Sequence, residues 1–264
     1  MARAERLPEF RSSARLLETA LIFTFVCHGL AMMGMIVCLL PGMPGGGTAD
    51  AARVAYIANH PWLWRAGWMG WQLTAASDVL LGLALVQTPW IPRGPAFVTL
   101  AITLAAVVPD QYGQALWITR GVSLAREAHL SGDASAYLAF ESVTFPMVAG
   151  WGATLYTVGA LGWTWCFAAA GTWSQALSAL SFVVWGIFGI VSPALLLPPA
   201  MRAPAVVVSA ANAVGFVLMQ IWFAAVTERV MRRSRPGVPF ARALADWLRG
   251  NLERSHRDHR DHRG

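Results

Sequence analysis

Asp78 gives the clearest indication of chemistry in this sequence. It lies in the middle of an otherwise apolar run, residues 66–86, that is long enough to cross a bilayer. A carboxylate at that depth costs about 2.5–3.5 kcal/mol or more unless it meets a partner or a water-filled cavity. We therefore predict that Asp78 faces the interior of a helical bundle.

His28 is the second ionisable residue placed deep in an apolar run. At 1.5 Å per residue, it lies roughly 16 Å from the inner end of its helix, and Asp78 lies roughly 18 Å from the outer end of its own. Both depths are near the middle of a core about 30 Å thick. The sequence thus predicts a pair at the midplane, neutral or charged. The alternative is that each side chain only hydrogen-bonds to a neighbouring helix.

A polar cluster interrupts the third apolar run directly after Pro109. It comprises Asp110, Gln111, Tyr112 and Gln114. Because proline kinks a helix and polar side chains avoid lipid, we expect this helix to line a cavity. The alternative, a span that ends near Val108, would be short for a crossing.

Four further residues complete the predicted site. Glu141 opens the fourth apolar run, and Asn212 lies in the outer half of the sixth. Arg65 and Arg120 stand at outer helix ends, where they could neutralise the carboxylates. We predict one polar chamber that opens outward, with His28 and Asp78 at its floor.

The elements that must position these residues are transmembrane helices. Hydrophobic residues make up 56% of the 264 positions and charged residues 13%, against about 25% charged in soluble domains. In lipid every backbone N–H and C=O group must be hydrogen-bonded within the protein, and only helices or a closed barrel achieve this. The sequence lacks the short segments of alternating polar and apolar residues that the strands of a barrel would show. The predicted fold is an all-α, polytopic membrane helical bundle of about six spans: residues 17–40, 66–87, 96–118, 143–168, 173–197 and 203–226.

All 20 basic residues are arginine, which excludes retinal-type Schiff-base chemistry and any lysine nucleophile. The arginines gather at both chain ends, so the positive-inside rule predicts cytoplasmic termini in a bacterial inner membrane. The net charge of +6 fits membrane lipids as partners, not nucleic acid. The arginines of the predicted outer loops count against this orientation.

Two domains are predicted. Residues 1–236 form the six-helix bundle, and residues 237–264 form a cytoplasmic amphipathic helix followed by a basic His/Arg tail. The amphipathic segment would lie on the membrane face, attracted by anionic lipids. The three cysteines, Cys27, Cys38 and Cys166, show no zinc spacing, so we expect no metal site, and the sequence indicates no particular cofactor.

One resemblance to a known family rests on residues 57–65, IANHPWLWR, followed by residues 77–81, SDVLL. This order is similar to a bacterial membrane family filed under domain of unknown function 4386. The resemblance implies the same architecture over about residues 17–197 and carries over Arg65 and Asp78. The chain departs from that pattern at Pro109-Asp110 and around residues 170–173.

Three functions fit these residues. The first is binding or transport of a small lipophilic or amphipathic molecule, with His28, Arg65, Gln111, Tyr112, Gln114, Arg120 and Asn212 as ligand contacts. The second is a membrane-embedded enzyme acting on a lipid, isoprenoid or quinone-like substrate, with Asp78, Asp110 or Glu141 as general acid or base. The third is a subunit of a larger membrane complex, whose partner contacts the arginine-rich tail.

Overall fold

The computed structural model describes residues 6–44, 48–234, 241–242, 244–247 and 249. Within them the chain is almost entirely helical and contains no strand, so the all-α prediction is confirmed. The predicted His/Arg tail and half of the predicted amphipathic segment, residues 239–252, lie outside the described residues; the described positions of that segment, 241–242, 244–247 and 249, are helical. The α-helices are α1 Arg6–Gly34, α2 Asp50–Asn59, α3 Pro61–Gln87, α4 Arg93–Leu116, α5 Val122–Ser131, α6 Ser135–Phe145, α7 Ala153–Ala169, α8 Gln175–Ala194 and α9 Ala205–Ser234.

Three π-helical segments extend or join these helices. Met35–Leu39 prolongs α1, Trp117–Gly121 joins α4 to α5, and Pro146–Gly152 joins α6 to α7. Such π segments occur frequently at functional sites in helical proteins. Since α4 runs unbroken through Pro109 to Leu116, the alternative in which the third span ends near Val108 is wrong.

Six helices form a closed ring in chain order. α1 packs on α3, α3 on α4, α4 on α7, α7 on α8 and α8 on α9, and α9 returns to α1. Successive members alternate in direction, so α1 begins and α9 ends on one side of the ring, called here the termini side. α2 and α5 pack together at the opposite side, called here the α2 side.

Five helices of the described chain are long and apolar enough to cross a membrane: Arg15–Gly42, Pro61–Gln87, Arg93–Ser131, Gln175–Ala194 and Val206–Arg232. They correspond to five of the six predicted spans, which supports a multi-pass membrane protein. The fourth predicted span, residues 143–168, is not among them. It lies in α6, the Pro146–Gly152 segment and α7, where several glycines, threonines and tryptophans lower the hydropathy.

Small residues bring the ring helices close together. A Cβ at Gly70 of α3 would lie 3.3 Å from the Cα of Ala31 in α1, and a Cβ at Gly159 of α7 would lie 3.1 Å from Thr103 Oγ1 in α4. Close approach of this kind is the usual source of helix association in lipid, where no hydrophobic driving force acts between helices.

Two hydrophobic clusters fill the ends of the ring. The termini-side cluster includes Leu17, Leu85, Phe167 and Trp222. The α2-side cluster includes Leu39, Ile57, Trp64, Trp117 and Tyr137. His28, Asp78 and Asp110 therefore lie between two packed regions.

Candidate functional site

A cavity of about 620 Å³ lies inside the ring and is partly open. Its walls are mostly apolar, and it reaches the helix connections on the α2 side through Met43, Pro44 and Arg202. The lining includes five of the ten predicted site residues: His28, Asp78, Asp110, Gln114 and Asn212. The predicted polar chamber thus has a counterpart in the structure, with a lining that is more apolar than expected.

His28 and Asp78 lie next to each other, as their depths along the chain predict. His28 Nε2 is 3.9 Å from Asp78 Oδ1, beyond hydrogen-bond distance, and both residues are buried. The other ring nitrogen of His28, Nδ1, donates to the carbonyl oxygen of Thr24 at 3.0 Å. This bond turns Nε2 toward the Asp78 side of the cavity.

Asp110 is the second buried carboxyl group at the cavity. Gln114 Nε2 donates to Asp110 Oδ1 at 2.8 Å, and the Tyr156 hydroxyl donates to Oδ2 at 3.5 Å. Tyr156, on α7, also lines the cavity but was missed from the sequence. Its only sequence signal is a hydroxyl inside an apolar run, which also fits simple packing.

The backbone around Asp110 is shaped for a close approach between two chain segments. A Cβ added at Gly152 would lie only 2.9 Å from Asp110 Cβ, so this position in the π-helical segment cannot hold a larger residue without a shift. Pro109, one residue earlier on α4, removes a helical hydrogen bond at the same level. These local features set the position of the carboxyl group.

Several buried polar atoms of the cavity lining have no hydrogen-bond partner among the described residues. Two are acceptors, Asp78 Oδ1 and Gln114 Oε1. The others are the indole N–H donors of Trp68, Trp71 and Trp163. Buried polar groups are nearly always paired in folded proteins, so unpaired groups around one cavity indicate a place for water or a ligand.

Two predicted site residues on α4 do not reach the cavity. Tyr112 is exposed, and Gln111 is only partly buried and donates to Asp110 Oδ2 at 3.0 Å. Asp110 and Gln114 are four residues apart and share a helix face. Gln111 and Tyr112, one and two positions after Asp110, point about 100° and 200° away from it around the helix. The prediction that these two residues line the chamber is therefore wrong.

Arg65 and Arg120, which the sequence predicts as partners of the chamber carboxylates, lie elsewhere. Arg65 Nε donates to the carbonyl oxygen of Ile118 at 3.1 Å, and its guanidinium lies 5.2 Å from the ring centre of Trp62. Arg120 is exposed. Neither residue lines the cavity, because both stand where long side chains extend away from the ring toward the surface.

Glu141 belongs to a separate buried ion pair. Arg53 on α2 contacts both Glu141 carboxylate oxygens, at 2.9 and 2.8 Å, and also donates to the carbonyl oxygen of Gly42 at 3.1 Å. Asp50 completes this network with a contact of 2.6 Å. Burial opposes the charged form of Arg53, but the bonds to Glu141 and Asp50 outweigh it and raise the pKa. The prediction that Glu141 faces the chamber is therefore wrong.

Arg202 is a lining residue that the sequence did not indicate. It stands in the connection between α8 and α9, where its Nε donates to the carbonyl oxygen of Leu197 at 2.8 Å. It is the one arginine of the described chain that lines the cavity. Its position on the α2 side places a positive charge near the opening.

No group of three or more His, Cys, Asp or Glu residues that could hold a metal ion occurs in the described part of the chain.

A scan against protein-family models finds no match to this chain, and searches of curated proteins and of solved structures find none either. The functional assignment therefore rests on the cavity and its side chains.

Proposed function

We propose that this protein binds, or carries across the membrane, a small lipophilic or amphipathic molecule held in the cavity inside the ring. The observation that carries the proposal is a mostly apolar cavity with unpaired polar atoms on buried Asp78 and Gln114. Its volume, about 620 Å³, falls within the range of about 300–1,000 Å³ typical of small-molecule sites. Apolar walls suit a hydrophobic body, and the polar groups suit a head group.

A second candidate is a membrane-embedded enzyme acting on a lipid, isoprenoid or quinone-like substrate. The observation in its favour is that two carboxyl groups, Asp78 and Asp110, line one cavity, with the Tyr156 hydroxyl beside the second. General acid–base catalysis needs such groups within reach of the substrate. Glu141 is not available as a general acid or base, because Arg53 donates a hydrogen bond to each of its carboxylate oxygens.

We further propose a bacterial inner-membrane location with both termini cytoplasmic. Arg15 precedes the first apolar span and Arg229 and Arg232 end the last, on the termini side. A preference of arginine for the cytoplasmic side would orient the ring this way, with the cavity opening away from the cytoplasm. Reporter domains fused to each terminus test this orientation.

The family resemblance remains part of the proposal. If the chain is related to the membrane family of domain of unknown function 4386, its members share the helix carrying Arg65 and Asp78. A structure of one member would test this, since a shared ring with an interior aspartate is expected.

The third candidate, a complex subunit, predicts partner proteins that co-purify with the full chain and are lost on deletion of residues 239–264.

The proposed ligand is tested by mass spectrometry of small molecules extracted from gently purified protein. Ala153 lines the cavity and Ala101 is exposed on the outside of α4. Ala153→Trp fills the cavity, and Ala101→Trp is the matched control that adds the same side chain elsewhere. We expect one molecular species in the wild type and the control that is depleted in Ala153→Trp. Identical extracts from all three proteins contradict the proposal.

A further inference from the structure

The cavity has two buried carboxyl groups in its lining, and neither is paired with an arginine among the described residues. Asp78 and Asp110 both lie there, and each is at most 6% exposed. Among the described residues, no arginine forms an ion pair with Asp78 or Asp110. His28 Nε2 lies 3.9 Å from Asp78 Oδ1. The hydrogen bonds given to Asp110 come from neutral groups, the amides of Gln111 and Gln114 and the Tyr156 hydroxyl.

The contrast with Arg53 shows that this fold can supply a buried countercharge. Arg53 neutralises Glu141 through two hydrogen bonds at 2.9 and 2.8 Å. Arg202, the one arginine of the described residues that lines the cavity, is only half-buried and donates to a backbone carbonyl in the connection where it stands. A buried carboxyl group without a countercharge takes up a proton instead of staying ionised, so a cation that binds beside it replaces that proton and supplies the missing countercharge.

Aromatic side chains form part of the wall of the cavity that these carboxyl groups line. Trp71 and Phe216 lie 5.3 Å apart between ring centres, and Trp163 and Trp185 lie 6.4 Å apart. All four line the cavity. Ring faces attract cations by about 0.5–2 kcal/mol each, and aromatic walls next to an anionic group are suited to a positively charged organic molecule.

We infer that the cavity selects a lipophilic organic cation, such as a protonated or quaternary amine, whose positive centre lies beside Asp78 and Asp110 against the aromatic wall. This inference rests on the proposed function and specifies its ligand class. The apolar body of the molecule occupies the rest of the cavity. Asp78 provides the main countercharge, because its Oδ1 has no hydrogen-bond partner among the described residues.

The unpaired indole N–H groups provide the strongest competing interpretation. Trp68, Trp71 and Trp163 each offer a donor, and donors favour a ligand with an acceptor oxygen, such as a carbonyl compound. The two interpretations differ in the charge of the ligand. A pair of molecules of similar shape but different charge separates them.

The test measures equilibrium binding of radiolabelled methyltriphenylphosphonium and of triphenylphosphine oxide to the full-length protein in lipid nanodiscs. The first probe is a cation, and the second is a neutral molecule of similar shape with an acceptor oxygen. Empty nanodiscs correct for partition into lipid. We expect the cation to bind at least about tenfold more tightly than the oxide, the ratio that one cation–ring contact plus a charge pair supports.

Asp78→Asn keeps the size of the side chain and removes its charge. We expect it to weaken cation binding at least about thirtyfold, because truncating one charge of a buried pair costs 2 kcal/mol or more, with little effect on the oxide. Glu127→Gln, on exposed Glu127 of α5, is the matched control and should bind like the wild type. If Asp78→Asn does not fold, Asp110→Asn carries the same test.

The outcomes distinguish the inference from the proposed function. If the oxide binds as tightly as the cation, binding survives Asp78→Asn and Ala153→Trp abolishes it, then the cation inference is overturned and the ligand site stands. If the cation binds equally to Asp78→Asn, Asp110→Asn and the wild type, the carboxyl groups have no such role. If neither probe binds above empty nanodiscs, the cation inference is overturned, and the proposed function is decided separately by the extracts of the wild type, Ala153→Trp and Ala101→Trp.

Discussion

Two buried acidic residues of this protein have opposite surroundings. Glu141 meets an arginine, with both carboxylate oxygens bonded to Arg53. Asp78 lies at a cavity with one oxygen unpaired among the described residues. Breaking a buried pair leaves an uncompensated charge, so the first acid is a part of the framework. The second acid is open to another molecule, which indicates a functional role.

The two regions also differ in how they are packed. Arg53 and Glu141 lie beside the α2-side cluster, where Tyr137 is fully buried. Burial and the nearby Glu141 raise the pKa of Tyr137, so the phenol stays neutral beside the pair. At Asp78 the neighbouring space is a cavity of about 620 Å³. Dense packing fixes one region, whereas the other has room for a ligand.

The largest expected effect comes from breaking the ion pair. Arg53→Met leaves Glu141 buried without its countercharge and should lower the free energy of unfolding by about 3–5 kcal/mol. Denaturant or thermal unfolding in detergent micelles measures the change. The double variant Arg53→Met/Glu141→Leu removes both charges and should recover much of the loss. A single variant as stable as the wild type would remove the contrast between the two acids.

The next effect concerns the close approach that positions Asp110. Gly152→Ala adds a Cβ 2.9 Å from Asp110 Cβ, which overpacks the site and should cost about 1–3 kcal/mol. It should also weaken methyltriphenylphosphonium binding, since Asp110 shifts. Gly189→Ala is the control, because no atom lies within 4 Å of its added Cβ, and it should be neutral or slightly stabilising. Equal stability of both variants would contradict the proposed role of Gly152.

A smaller effect is expected at the contact that holds α2 in place. The Tyr56 hydroxyl donates to the carbonyl oxygen of Cys38 at 2.8 Å, joining α2 to the end of the first span. Tyr56→Phe removes one hydrogen bond and should cost about 0.5–1.5 kcal/mol, measured by thermal unfolding. Ligand binding should be unchanged. A loss of binding would mean that α2 shapes the cavity and that the two regions are coupled.

The smallest effect is expected when the same type of substitution, acid to amide, is made at Asp78 and at Glu141. Asp78→Asn should change the free energy of unfolding by no more than about 1 kcal/mol, the value of a typical hydrogen bond, because its Oδ1 has no partner to lose among the described residues. Glu141→Gln should be clearly destabilising. Unfolding of both variants under identical conditions provides the measurement. Equal losses would place Asp78 in the framework as well.

Much of the fold and part of the site follow from local sequence rules. Apolar length predicts the helices, and the rise per residue places His28 and Asp78 at one level. The spacing of four residues places Asp110 and Gln114 on one face. These rules depend only on the geometry of a helix, so they hold before any packing is known.

The errors concern residues whose position depends on packing between distant segments. The pairing of Glu141 with Arg53 requires α2 to return to α6, 88 positions further along the chain, and no periodicity encodes that. Tyr156 joins the site only because the Pro146–Gly152 segment aligns α7 with α4. Arg65 and Arg120 were assigned by position at helix ends, which does not determine the direction of a long side chain.

Chemical labelling measures whether the cavity beside Asp78 is open to water and ligand. In a background with Cys27, Cys38 and Cys166 replaced by alanine, single cysteines are introduced at Ala153, which lines the cavity, and at Ala96, which is buried in packed protein. A charged, membrane-impermeant thiol reagent is then applied to the protein in nanodiscs. We predict that Ala153→Cys is labelled, that methyltriphenylphosphonium protects it, and that Ala96→Cys stays unlabelled. An unreactive Ala153→Cys would mean that dry protein surrounds Asp78, contradicting the account.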